Sequence, residues 1–424
     1  MLNTHSADSH PSFRRADYVK ITIFGFALTA LWQSMHTIIL PLRLLDFVAE
    51  SQKNTYLGLV TLSGLLLAII VQPVAGAISD RTGISGGRRR PFIMLGGVLA
   101  SFIIPGVGLA GSYLGIFAIY CLLQVSTNIA QGPYQALIPD LVPEGKRGLA
   151  SGVKALFEIL GVVVIIYPVA VFMDRYFGGQ GGQWLWLVLG MLAIIMLAAM
   201  VATVVTVREP PVTGDKRGTS LVATLRYTFK IDTRANRDFI WFLVSRLLIY
   251  MAFTTIQQFM LNFLKDVIGV TNPAEATVRF SIVAVAGMLA VVYPAGYLSD
   301  RLGRKKVTIT AGLLGAAGIA IILLSQNYSS ILLAAGAIGV AIGAFNSSNW
   351  AWATDLVPRN EVARYLGLTN LATAGGAAGA RIIGPGIDFF NYFRPVLGYK
   401  FMLFMCLVYF VAGSVLVLKI KRQG

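Results

Sequence analysis

Long apolar runs, separated by short polar breaks, make up most of the chain. Twelve such runs lie at roughly 20–47, 55–79, 91–110, 113–139, 149–174, 184–207, 237–264, 278–299, 307–325, 329–354, 363–390 and 397–420. A helix needs about 20 apolar residues to cross the hydrocarbon core, whereas buried helices of soluble proteins show runs of about 10–14. The pattern therefore predicts an all-α integral membrane protein with twelve transmembrane helices. The runs are continuous rather than alternating, which argues against a membrane β-barrel. The longest break, 208–236, carries Leu221, Leu225 and Phe229 at i, i+4 and i+8 and predicts a short helix on the membrane surface. It divides the chain into an N-terminal tail (1–19), a six-helix bundle (20–207), a linker (208–236), a second six-helix bundle (237–420) and a C-terminal tail (421–424).

Composition supports this picture. Of 424 residues, 56% are hydrophobic and only 13% charged, about half the charge of an average soluble domain. The net charge of +16 would suggest a nucleic-acid partner in a soluble protein. Here the positives sit between apolar runs, so no nucleic acid is expected. With the N-terminus placed in the cytoplasm, 25 Lys and Arg fall on the cytoplasmic side and six on the other. The positive-inside rule then puts both termini in the cytoplasm of a plasma (inner) membrane protein. Cys121 and Cys406 lie inside apolar runs and are expected to pack rather than pair. The polar first 17 residues lead into a span without a small-residue cleavage site, so no cleaved signal peptide is expected.

The two halves share short motifs in register. Pro73-Val-Ala-Gly76-Ala-Ile-Ser-Asp80-Arg81 returns as Pro294-Ala-Gly296-Tyr-Leu-Ser-Asp300-Arg301, and Asp140-Leu-Val-Pro143 returns as Asp355-Leu-Val-Pro358. Glu144 with Arg147, and Glu361 with Arg364, follow them. A repeat of this kind places a substrate path between two bundles. The segment Gly296-x-x-x-Asp300-Arg301-x-Gly303-Arg304-Lys305-Lys306 resembles the signature loop of the major facilitator superfamily. Residues 71–93, with Gly87-Arg88-Arg89-Arg90-Pro91, and Gly132-Pro-Tyr-Gln-Ala-Leu-Ile-Pro-Asp140 are similar to the sucrose–proton symporters within it. Gln135 stands where those symporters usually carry a basic residue. A more distant resemblance is to the glycoside–cation symporters of the melibiose type. Gln72 and Ala68 replace their two sodium-binding aspartates, so no sodium site is expected.

The resemblance implies two pseudo-symmetric bundles that rock about a central site. It also implies a cytoplasmic gate built from Asp80, Arg81, Arg88, Glu144, Arg147, Asp300, Arg301, Arg304, Glu361 and Arg364. Charges within spans are costly and point to function. Glu158 and Lys154, four residues apart, share a helical face near mid-membrane. Together with Arg381 they are the candidates for proton coupling, the alternative being a structural ion pair. Arg246 and Arg43 could snorkel toward the interface and rank below these candidates. Polar residues that suit a hydroxyl-rich ligand are Gln33 and His36 (first span), Asn128, Gln131 and Gln135 (fourth), Gln257 and Gln258 (seventh), and Asn346, Asn349 and Trp350 (tenth). Interhelical hydrogen bonding is the competing role for these amides.

The expected function is secondary active transport, with proton-coupled symport of a sugar, glycoside or polyol as its sharpest form. Export of a lipophilic or drug-like compound, and a non-transporting scaffold or sensor, are the alternatives. No phosphate loop, His-Glu-x-x-His motif or paired-Cys metal site occurs in the sequence. No cofactor, no metal and no enzymatic activity are therefore expected, and the partners are a small-molecule substrate, a proton and the lipid bilayer around a monomer.

Overall fold

The computed structural model describes residues 15–81, 87–209, 237–325, 327–356 and 362–421. The N-terminal tail before residue 15, most of the linker with its expected surface helix, and Glu361 lie outside the described residues, as do the side chains of Arg81, Glu144 and Arg364. Among the described residues twelve long helices follow one another: α1 (Arg15–Leu44), α2 (Lys53–Arg81), α3 (Arg90–Ile103), α4 (Tyr113–Leu141), α5 (Arg147–Phe177), α6 (Gln183–Thr206), α7 (Arg237–Phe263), α8 (Pro273–Leu302), α9 (Arg304–Leu324), α10 (Tyr328–Leu356), α11 (Val362–Phe393) and α12 (Leu397–Val417). Most start or end several residues outside the apolar runs, because capping positions and polar first turns extend a helix past its lipid-facing part. Eleven are long and apolar enough to cross a membrane. The twelfth, α11, has 32 residues, but its Gly, Ala and Thr stretch and the charges of Arg381 and Asp388 lower its hydropathy.

The packing repeats with a period of six helices. α1 packs on α5, as α7 does on α11; α2 packs on α4, as α8 does on α10; α3 packs on α4 and α6, as α9 does on α10 and α12. The two six-helix bodies meet through α2 against α11 and α5 against α8, a pair of contacts that the internal symmetry exchanges. Large apolar side chains such as Phe102, Leu114, Val205 and Leu333 stay exposed on the outer faces, as a lipid-wetted surface requires.

α2 and α11 approach closely enough that a side chain would not fit. A Cβ on Gly58 would strike the carbonyl oxygen of Arg381, and one on Gly384 would strike that of Asn54. Small residues permit such contact between membrane helices.

At the end of the membrane that holds the start of α1, here the basic-loop end, the chain turns sharply before two arginines. Gly87 (φ 110°) precedes Arg88 and Gly303 (φ 94°) precedes Arg304, a backbone region that favours glycine. Near that end α2, α5 and α8 expose Ile70, Leu149, Leu156, Tyr293 and Tyr297. Hydrogen bonds between the halves, among the described residues, lie at mid-membrane and at the far end.

Candidate functional site

A cavity of about 290 Å³ lies between the halves, walled by α1, α5, α7, α8 and α10. Its polar groups are Thr29, Gln33, Glu158, Gln257, Thr277 and Ser281, and aliphatic side chains supply most of the rest. Gln257 of α7 donates to Gln33 of α1 at 3.3 Å, so one amide from each half meets across the cavity. Gln33 in turn donates to Thr37 at 2.9 Å. Glu158 stands on the α5 wall with Lys154 at 3.6 Å, and the Lys154 ammonium lies 5.6 Å from the ring centre of Tyr134. Tyr134 links α4 to α1. Its hydroxyl donates to the Thr22 carbonyl and accepts from the Gly25 N–H, both at 3.0 Å.

Just past Gln33, α1 opens into a π-turn over Met35–Ile39. Pro41 follows and has no N–H with which to close the regular ladder. This turn carries His36, whose Nε2 is 2.8 Å from the Tyr120 hydroxyl and whose ring stacks on Trp32 at 5.3 Å. Tyr120 also accepts from Gln124 Nε2 at 2.8 Å. The guanidinium of Arg381 lies within electrostatic reach of both His36 and Tyr120. α1, α4 and α11 thus assemble a polar cluster beside the cavity.

Gln33, Gln257 and Glu158 are the sequence candidates that line the cavity wall. The others do not line it. Asn128 is buried and donates to Gln124 within α4, because its face of α4 turns into the N-terminal bundle. Gln131 is partly buried, and Gln135 is exposed and accepts from Gln72 at 3.0 Å. Gln258 is buried with its Nε2 unbonded. Asn346 accepts from Tyr250 at 2.5 Å. Asn349 accepts from Arg246, and Trp350 lies under the same guanidinium at 4.8 Å. Arg246 is fully buried, so it does not snorkel. Arg43 does reach the far end, where Asp46 at 2.5 Å and the Ala110 carbonyl at 2.8 Å hold it.

At the basic-loop end one arginine in each half bridges the repeated aspartates. Arg89 meets Asp80 at 2.5 Å and Asp140 at 2.9 Å and donates to Ser79. Arg304 pairs with Asp300, meets Asp355 at 3.2 Å and donates to Ser299 at 3.3 Å. Arg88 adds a second bond to Asp140 at 2.7 Å, which pushes its guanidinium pKa above the usual value. Glu209, beyond α6, accepts from the backbone N–H groups of Arg88, Arg89 and Arg90 and so caps α3. Arg147 donates to the Pro139 and Val142 carbonyls, and Arg301 stacks on Tyr297 at 4.5 Å. These contacts run within each half. The bridging role of Arg89 and the cap by Glu209 did not emerge from the motif, which gives the cations in a row without their partners.

The polar contacts between the halves gather at the far end. Asp388 of α11 accepts from Asn54 Nδ2 at 2.8 Å and from the N–H and hydroxyl of Thr55 at 2.6 and 2.7 Å. It thereby caps the start of α2. Asp174 of α5 accepts from the N–H groups of Ala274 and Glu275 at 2.9 and 2.8 Å, capping the start of α8 in the same way. Thr55 and Glu275 are 220 positions apart, the offset that separates Asp80 from Asp300. Ion pairs between Lys53 and Asp266 (2.6 Å) and between Lys265 and Glu50 (2.5 Å) complete the seal. Neither aspartate stood out in the sequence, because charge near a span end costs little.

A model of the Major Facilitator Superfamily matches residues 22–380 and 280–423. The sucrose transport protein SUC4 of Arabidopsis thaliana is 33% identical over 129 residues, 26% of this chain and 25% of that protein. The arabinose–proton symporter of Bacillus subtilis is 35% identical over 98 residues, 23% of this chain and 21% of that one. The matched parts span about a quarter of these relatives' lengths. Among solved structures, a bacterial homologue of the lysosomal transporter Spinster, inward-facing and occupied, superposes with a TM-score of 0.75 at 16% identity, covering 97% of this chain and 98% of that one. A D-xylose–proton symporter gives 0.72 at 16% identity, covering 96% and 98%. At these identities the likeness concerns the fold.

Proposed function

Because the chain belongs to the Major Facilitator Superfamily, whose members are transporters and not enzymes, we propose that it is a proton-coupled symporter of a sugar, glycoside or polyol. It works by alternating access in the plasma (inner) membrane, with the basic-loop end facing the cytoplasm. The observation that carries this reading is the position of Glu158. It is a carboxylate on the wall of a cavity shared by both halves, which also holds an amide pair with one member from each half. A carboxylate that alternately meets Lys154 and a proton gives the coupling a single site. The sugar-transporting relatives support the substrate class. Polar contacts between the halves that gather at the far end support a cytoplasm-open state.

The test is flux in proteoliposomes. Wild-type protein should accumulate substrate when a pH gradient is imposed, and Glu158→Gln should lose accumulation while keeping gradient-independent counterflow. Equal pH profiles for the two proteins would exclude Glu158 as the coupling group. The aliphatic cavity wall, with Ile159, Val162, Val163, Val285 and Met288, favours a second reading, efflux of a lipophilic compound. Gradient-driven extrusion of a lipophilic cation, with no sugar flux, would decide for it.

A further inference from the structure

We propose that the substrate carries a negative charge, as a sugar acid or a carboxylate-bearing glycoside does, and that Arg381 binds it; the proposal rests on the sugar reading above. Five cationic side chains are buried among the described residues: Arg43, Lys53, Arg89, Arg246 and Arg381. The first three pair with carboxylates, Asp46, Asp266, and Asp80 with Asp140. The two in the middle of the C-terminal half have no carboxylate partner among the described residues. Arg246 is nevertheless accounted for. It donates to Thr373 at 2.9 Å and to Asn349, and its guanidinium lies over the rings of Tyr250 and Trp350 at 4.9 and 4.8 Å.

Arg381 is not. It is 7% exposed. Its Nη1 donates to the Ala377 carbonyl of its own helix at 2.7 Å, and its Nε is buried without a partner. Nη2 makes no hydrogen bond among the described residues. Nε and Nη2 form the edge of the guanidinium that grips a carboxylate through two parallel bonds. Asp388, two turns along α11, is engaged in capping α2, and no ion pair joins Arg381 to Glu158, which stands beside Lys154.

A guanidinium held out of water without a counter-ion is costly. The chain pairs its other buried cations or surrounds them with rings and oxygens. A substrate carboxylate would supply the missing partner. His36 and Tyr120 lie within electrostatic reach of the same guanidinium, and Tyr120 is bonded to His36 and Gln124. Gln33 on the cavity wall is less than one helical turn along α1 from His36.

The experiment measures equilibrium binding to the full-length protein in nanodiscs, using matched neutral and acidic ligands. These are glucose with glucuronate, galactose with galacturonate, and methyl glucoside with methyl glucuronide, together with the neutral methyl ester of glucuronate. The acid of at least one pair should bind about tenfold or more tightly than its neutral partner, the margin of a charge-assisted pair over a neutral one. Arg381→Gln should abolish that preference, and Arg381→Lys, which keeps the charge but not the fork, should retain part of it. Equal binding within every pair would overturn the anion proposal and leave the sugar reading standing. No binding by any ligand would overturn both. A preference that survives intact in Arg381→Gln would overturn the assignment to this residue, and the ligand series decides the anion question on wild-type protein even if a variant fails to fold.

Discussion

Arg89 is 4% exposed and bridges two aspartates and a serine, while the cations around it make simpler contacts. Its planar fork reaches acceptors on α2 and α4 together in a fixed geometry that the single ammonium of a lysine does not reproduce. Arg89→Lys should cost about 1–2 kcal/mol. The figure is lower than for a fully buried pair because the Asp80 side chain is 55% exposed. Thermal unfolding of the purified protein would show this as a lowered Tm. An unchanged Tm would mean that the bridge contributes nothing in water. At this scale the sequence reveals which polar residues are expensive but not whom they meet. Glu158 and Lys154 were legible because i, i+4 spacing puts them on one face. Tyr120 and Tyr134 were not. A tyrosine inside a span resembles any other large apolar residue until its hydroxyl is seen to join α4 to α1.

At the scale of helices, the contact of α2 with α11 rests on glycine at both crossing points. Gly384→Val should push the backbones apart at the far end and shift the molecule away from the state described here. Spin labels at Gln52 and Thr271, in the turns that follow α1 and α7, would report the change as a longer distance between the halves. A distance distribution identical to that of wild-type protein would refute the idea. The number and order of helices were readable from apolar run lengths, because each crossing needs the same minimum of hydrocarbon-compatible residues. Their ends were less so. The apolar pattern begins at Val278, yet α8 begins at Pro273. Its first turn is closed by Asp174 of another helix, a contact a hundred residues away in sequence.

For the molecule as a whole, the balance between closed and open at the far end depends on the two reciprocal caps. Each is a charged acceptor on a helix start, where such bonds are stronger than neutral ones. Asp174→Asn and Asp388→Asn should each favour far-end opening by about 1–2 kcal/mol. The double variant should show nearly the sum, since the caps lie on different helix pairs. The same spin-label pair would measure it, and a double variant no more open than wild-type protein would rule out a gating role.

The caps have a consequence for assembly. Each half offers the other what it receives, so the surface where they meet is isologous, like that of a twofold homodimer whose subunits happen to be tethered. Two copies of residues 15–209 could satisfy one another through the same pair of bonds, Asp174 of each reaching Thr55 of its neighbour. The tether at 210–236 would then set stoichiometry rather than supply recognition. A chain severed there should still yield a paired complex when both fragments are made together.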